Sequence, residues 1–220
     1  MANRTLKILV ADDDSAMRYG NLIPPDCRRL LGPRYGLLRP DFRTARANLR
    51  SRDGVVRRML VFFGGIDAHN ETTKALAAVK ALNRPDIAVD VVVGAASPHF
   101  ASIRAICAGA AHWRLHHNPD TIAELMGNAD LALGATGATA WERCCLGLPS
   151  VVISLALNQE SIARALSACG LAIYLGKRQT ATPDMIAAAL DELLRNPAQV
   201  RDMSRACAEL VDGRGALRVA

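Results

Sequence analysis

Leu131-Ala132-Leu133-Gly134-Ala135-Thr136-Gly137-Ala138-Thr139-Ala140-Trp141-Glu142 joins a short apolar run to an amphipathic segment through a glycine-rich turn. An apolar run of that length is too short for a helix and fits a strand buried on both faces; the segment from Thr139 to Leu146 fits a helix lying on that strand's sheet. The same unit recurs on either side. Further apolar runs lie at 59–63, 88–93, 113–116, 151–155 and 171–174, and amphipathic segments at 72–82, 100–107, 122–126 and 161–169. Two more helices are expected at 183–194 and 198–211, the first with Asp184 in its opening turn. Strands alternating with helices of this length require right-handed crossovers, so the fold is predicted to be α/β, a Rossmann-like doubly wound parallel sheet. Ligands of such sheets bind beyond the carboxyl ends of the strands, which directs attention to the loops there.

Three of those loops carry candidate chemistry. Gly64 and Gly65 follow the run 59–63 and precede a helix, where a backbone without Cβ atoms can approach a ligand and the helix N-terminus favours phosphate. In the second loop, the amides of Gly137 and Ala138 and the hydroxyls of Thr136 and Thr139 make a candidate diphosphate cradle. It matches neither the Walker pattern nor the dinucleotide G-x-G-x-x-G. Glu142, a turn further on, is either a carboxylate able to accept from both hydroxyls of a ribose or a charge that suits a helix N-terminus. In the third, Asn158 and Gln159 offer two amides that could read sugar hydroxyls, with Asn158 as a plain helix cap the alternative.

The first 52 residues have a different texture. Pro24-Pro25, Gly32-Pro33 and Arg39-Pro40 read as turns or extended links, and many arginines fall here and just beyond, at 28, 29, 34, 39, 43, 46, 50, 52, 57 and 58. A net charge of +6 allows a nucleic-acid surface, but the arginines are dispersed among Pro, Leu and Asp and no nucleic-acid module surrounds them. A solvated face, or a patch uncovered by a missing partner, is the expectation, with no nucleic acid bound. None of the six cysteines forms a C-x-x-C pair, and four lie in apolar helical patterns, as reduced core cysteines do. No signal peptide is visible in the opening residues and no apolar run is long enough to cross a bilayer, so a cytoplasmic protein without a membrane partner is expected. His116 and His117 are adjacent and point to opposite faces of a strand, which argues against a shared metal.

Several segments together are more specific than any loop alone. Gly64-Gly65-Ile66-Asp67 through Asn70, His117-Asn118-Pro119 with Glu124-Leu125-Met126, and Ala129-Asp130 form one series. Gly137 to Glu142, Leu146-Gly147-Leu148-Pro149, Asn158-Gln159 and Asp212-Gly213-Arg214-Gly215-Ala216 continue it, with Leu31 to Tyr35 and Leu37 to Pro40 upstream. In this order they resemble the UDP-2,4-diacetamido-2,4,6-trideoxy-altropyranose hydrolases of pseudaminic acid biosynthesis. A looser likeness extends to the glycosyltransferase that completes lipid II. The resemblance implies the C-terminal half of a two-domain GT-B architecture, spanning 53–220 and following an N-terminal segment and linker at 1–52. It implies a UDP-sugar ligand and no metal or other cofactor. The diphosphate would lie near Gly64, Gly65, Gly137, Ala138 and Thr139, the ribose on Glu142, the uracil near 117–126, and the sugar facing Asn158 and Gln159.

The family's catalytic His belongs to a Gly-x-Gly-His loop of its N-terminal domain, whereas all five histidines here follow Phe63. The expectation is therefore a domain incomplete on its own, its catalytic residue unassigned, that self-associates or meets an N-terminal domain partner. The opening from Lys7 to Arg18, with Asp12-Asp13-Asp14, looks like the start of a response-regulator receiver and equally like a remnant of the hydrolase's first domain. The three acids are read as a solvated strand end.

Overall fold

The computed structural model describes residues 7–10 and 28–219. Two short strands, β1 (Lys7–Val10) and β2 (Arg28–Leu31), pair in parallel. The acidic stretch Asp12–Asp14 and Cys27 lie outside the described residues. Six more strands follow: β3 (Arg58–Phe62), β4 (Ala88–Val93), β5 (Trp113–His117), β6 (Leu131–Ala135), β7 (Ser150–Ser154) and β8 (Ala172–Lys177). They form one parallel sheet in the order β5-β4-β3-β6-β7-β8. Every residue of β6 and β7 is buried, as the unbroken apolar runs require of strands covered on both faces.

Helices cover both faces. After α1 (Pro40–Ala47) come α2 (Glu71–Ala81), α3 (Phe100–Ala108), α4 (Ile122–Asn128), α5 (Ala138–Cys145), α6 (Glu160–Ala168), α7 (Pro183–Arg195), α8 (Pro197–Leu210) and α9 (Gly215–Val219). On one face Leu76 of α2, Ile103 of α3 and Ile186 and Leu190 of α7 pack on Met59, Val61, Val91 and Leu133. On the other, Phe42 of α1, Met126 of α4, Trp141 of α5 and Leu166 of α6 pack on Leu60, Ala132 and Val152. Helix α8 serves both layers, Val200 and Met203 in the first and Cys207 in the second. Starts are fixed by side chains: Thr182 accepts from the Met185 amide and Asn196 from that of Gln199, each followed by a proline at the first helical position.

The Rossmann-like doubly wound fold stands as expected, with strand and helix ends within a few residues of the predicted ones. Helix α1 was not expected, because Arg39-Pro40 reads as a link; Arg39 is extended, and Pro40 then opens the helix. Its one fully buried side chain is Phe42, which docks it beside α4 and α5. Four cysteines, 107, 144, 145 and 207, are free and buried as expected of core thiols, and Cys169 is exposed. Among the described residues no helix is long and apolar enough to cross a membrane.

The arginine-rich stretch divides in a way that its composition does not reveal. Arg34, Arg39, Arg43 and Arg57 are solvated, but Arg52 is buried, which corrects the reading of the cluster as a solvated face. Its guanidinium donates to the carbonyls of Met126, Gly127 and Ala129 at the end of α4, and to those of Leu146 and Gly147 just after α5. The terminal carbonyls of a helix lack intrahelical partners and carry the negative end of its dipole, so one planar cation serves two helix ends. Burial pushes the Arg52 pKa down to about 10, which leaves it charged at neutral pH. Arg46 similarly donates to Cys145 and Ala208 carbonyls, and Arg50 to Asp130. Residues 42–52 thus run along the sheet's second helical layer, with Arg46 and Arg52 bonded to its helix ends.

Candidate functional site

Strands β3 and β6 are neighbours, yet the chain leaves β3 for the first helical layer and β6 for the second. That divergence is the switch point of a doubly wound sheet, and it opens a crevice at the carboxyl ends of the strands. A cavity of about 330 Å³ lies there, lined by Gly64 and Gly65 after β3, Gly94 after β4, Asn118 and Pro119 after β5, and Thr139 and Glu142 of α5, with Arg39 at its side. A second cleft of about 570 Å³ shares Glu142 and continues past Gly137, Ala138, Asn158 and Gln159 to Leu37 and Trp141. All eight expected residues therefore line one of two clefts that meet at Glu142.

The glycines act by different means. Gly64 has φ +91°, a left-handed backbone that a side chain would strain, and nothing stands where its Cβ would be. A Cβ on Gly94 would lie 2.3 Å from the Gly65 carbonyl oxygen, so the β3 and β4 loops touch backbone to backbone. Gly137 is extended, a conformation open to any residue, and a Cβ there would face the Gln159 Nε2 at 3.5 Å.

The two helices at the crevice differ at their N-termini. Asp67, itself buried, accepts from the amides of Glu71 and Thr72, and Asn70 accepts from that of Thr73. The first turn of α2 is thus already satisfied by an anion from its own chain, which corrects the expectation that it favours a phosphate. Helix α5 has no side-chain cap and no acidic residue in its first turn, so the Gly137–Ala138 end keeps its free amides. Thr136 is fully buried and its hydroxyl donates to the Ile153 carbonyl, which removes it from the expected cradle. Thr139 stays at the cleft, its hydroxyl donating to the Ala135 carbonyl and accepting from Arg143 at 3.3 Å.

Arg143 lies beneath this turn. It is almost wholly buried, donates from Nη2 to the Ala135 carbonyl at 2.9 Å, and its Nε has no partner among the described residues. Glu142 is half-buried between the two clefts. Burial raises its carboxyl above the ordinary value, with Arg39 and Arg143 pulling the other way. It stands beyond the first turn of α5, so the reading as a helix N-terminal charge is not what the structure shows. Asn158 is exposed in a short 3-10 turn (Leu157–Gln159) with no capping bond, while Gln159 accepts from the Leu155 amide through Oε1. That bond fixes the Gln159 amide so that its Nε2 faces Gly137.

Other polar groups belong to the scaffold. Asp130 accepts from the amides of Arg57 and Arg58 at the start of β3, and Asp90 is buried between Arg58 and His116. Among the described residues no three His, Cys, Asp or Glu side chains gather at metal-binding spacing. The arrangement suits an anion at the start of α5 and a hydroxyl-bearing group at Glu142. Arg39 and Arg143 were not singled out from sequence. Arg143 reads there as one more charge on an amphipathic helix, and only its place on the buried face distinguishes it.

Residues 59–214 match the glycosyltransferase family 28 C-terminal domain. The chain belongs to that family. Across 191 residues the family 28 chain is 29% identical to the spore coat polysaccharide biosynthesis protein SpsG of Bacillus subtilis strain 168, covering 86% of this chain and 56% of SpsG. It superimposes on MurG of Acinetobacter baumannii with a TM-score of 0.65 at 18% identity, over 97% of this chain and 58% of MurG. A UDP-GlcNAc 2-epimerase from Neisseria meningitidis, solved with UDP-GlcNAc bound, gives 0.59 at 16% identity, over 81% and 47%. The family 28 chain thus spans about half the length of these relatives and has the fold of a GT-B Rossmann-like domain.

Proposed function

We propose that the chain binds a UDP-linked sugar at the switch-point crevice. The observation that carries this reading is the meeting of the two clefts at Glu142, with a free helix N-terminus on one side of it and the β3, β4 and β5 loops on the other. The diphosphate lies on the Gly137, Ala138 and Thr139 end of α5, close to Gly64 and Gly65. Glu142 accepts from the ribose hydroxyls, the uracil enters beside Asn118 and Pro119, and the sugar faces Asn158 and Gln159. The N. meningitidis epimerase holds UDP-GlcNAc in the same fold class, so a ligand of this size and charge is compatible with the architecture.

On this reading the chain is of the lineage that hydrolyses UDP-2,4-diacetamido-2,4,6-trideoxy-altropyranose to the free sugar and UDP, and its share of that reaction is to hold the leaving diphosphate. Free amides and a buried cation stabilise the charge that develops as the glycosidic C–O bond breaks, while a base for the attacking water comes from an N-terminal domain partner.

Calorimetric titration of UDP into the wild type and Glu142→Ala tests the assignment. Binding that weakens by about 1–3 kcal/mol in the variant is expected for a charged hydrogen-bond partner. An unchanged affinity would remove Glu142 from the site, and no binding at millimolar UDP would remove the nucleotide.

A further inference from the structure

Arg143 is an unusual cation. A guanidinium out of water is costly unless a carboxylate or a full set of acceptors compensates it. Here Arg143 is 3% exposed, none of the ion pairs among the described residues includes it, and its Nε is unpartnered among them. Its two hydrogen bonds go to the Ala135 carbonyl and the Thr139 hydroxyl, which flank the β6–α5 turn. Arg52, also buried, differs in having five carbonyl acceptors spread over all three of its nitrogens. Its neighbour Glu142 feels the Arg143 charge but forms no ion pair with it and opens onto the clefts.

We propose that Arg143 is a positioning residue whose counter-charge is the ligand: it holds the β6–α5 turn in shape through Ala135 and Thr139, and places a fixed positive charge under the free amides of α5 that a bound diphosphate neutralises. This rests on the nucleotide reading above for the identity of the ligand, but the charge itself requires only a diphosphate. It acts through the turn, not by touching the ligand. Because the guanidinium is buried, its field at the turn is weakly screened by salt, unlike that of the exposed Arg39.

Inorganic pyrophosphate, uridine and UDP, each titrated into the wild type, Arg143→Lys and Arg143→Gln, separate charge from shape. The expected result is pyrophosphate affinity at least tenfold weaker in Arg143→Gln and within about threefold of wild type in Arg143→Lys, with uridine affinity the same in all three. Equal losses for Lys and Gln, or pyrophosphate and uridine falling together, would show a merely structural role and overturn the proposal. So would a wild type that does not bind pyrophosphate. Pyrophosphate bound and UDP not bound would instead reject the nucleotide reading and leave Arg143 in place. The wild type alone supplies a second test: its pyrophosphate affinity declines only shallowly with added salt, and a slope typical of several surface arginines contradicts a buried counter-charge.

Discussion

Glu142, at the meeting of the two clefts, weakens the fold when it ionises. Burial raises its pKa, so ionising it costs more in the folded chain than in the unfolded one. The sign follows from linkage: stability from this group is fully present below the unfolded pKa and is lost as pH rises through the folded one. If Glu142 holds the ribose as proposed, its ionised form is the stronger acceptor, so uridine affinity runs the opposite way and increases over the same pH window. Glu142→Gln is therefore expected to melt at the same temperature as the wild type or higher at neutral pH, while losing affinity for UDP and, for uridine, which carries no phosphate to titrate, losing the pH dependence. Thermal melts and titrations from pH 4.5 to 8 read both quantities. A variant that melts lower at pH 7 and still binds UDP contradicts the assignment.

Among the elements, the β3 and β4 loops are set by the contact between Gly65 and Gly94. Gly94→Ala would drive a Cβ to 2.3 Å from the Gly65 oxygen and 2.4 Å from its Cα, against backbone that cannot swing away as a side chain would. A loss of about 1–3 kcal/mol in urea unfolding is expected, with UDP binding weakened because Gly65 lines the crevice. Unchanged stability and affinity would mean that the two loops part freely. Strands β3, β6 and β7 were legible because burial on both faces demands apolar runs; β4, broken by Asp90, and the partly exposed edge strands β5 and β8 were legible from their place in the alternation with helices. Helix α1 was not legible: a single buried Phe42 among arginines carries no periodic signal, and its docking depends on α4 and α5 far along the chain. The site was legible as residues on loops after strands. Its electrostatics were not, since sequence cannot show that Asp67 closes one helix N-terminus and that α5 is left open. Nor can it show that Arg52 and Arg143 point inward.

For the molecule as a whole, the clefts have an apolar margin. Leu37, which lines the outer cleft, Ile66 beside Gly65 and Leu157 beside Asn158 are 60%, 59% and 79% exposed. Large apolar side chains grouped around a cleft mark a surface that another surface covers. We propose that this margin meets a second copy of the chain. Sedimentation at increasing concentration is expected to show self-association that Leu157→Asp weakens; a monomer at all concentrations contradicts it. UDP added to the 15N-labelled chain tests most directly whether a nucleotide occupies the switch-point crevice. Amide shifts are expected at Gly64, Gly65, Gly94, Asn118, Gly137, Ala138 and Thr139, with Cys169 and Gly170 at the far end of α6 unmoved. Shifts centred on Cys169 and Gly170, or none at saturating UDP, would contradict it.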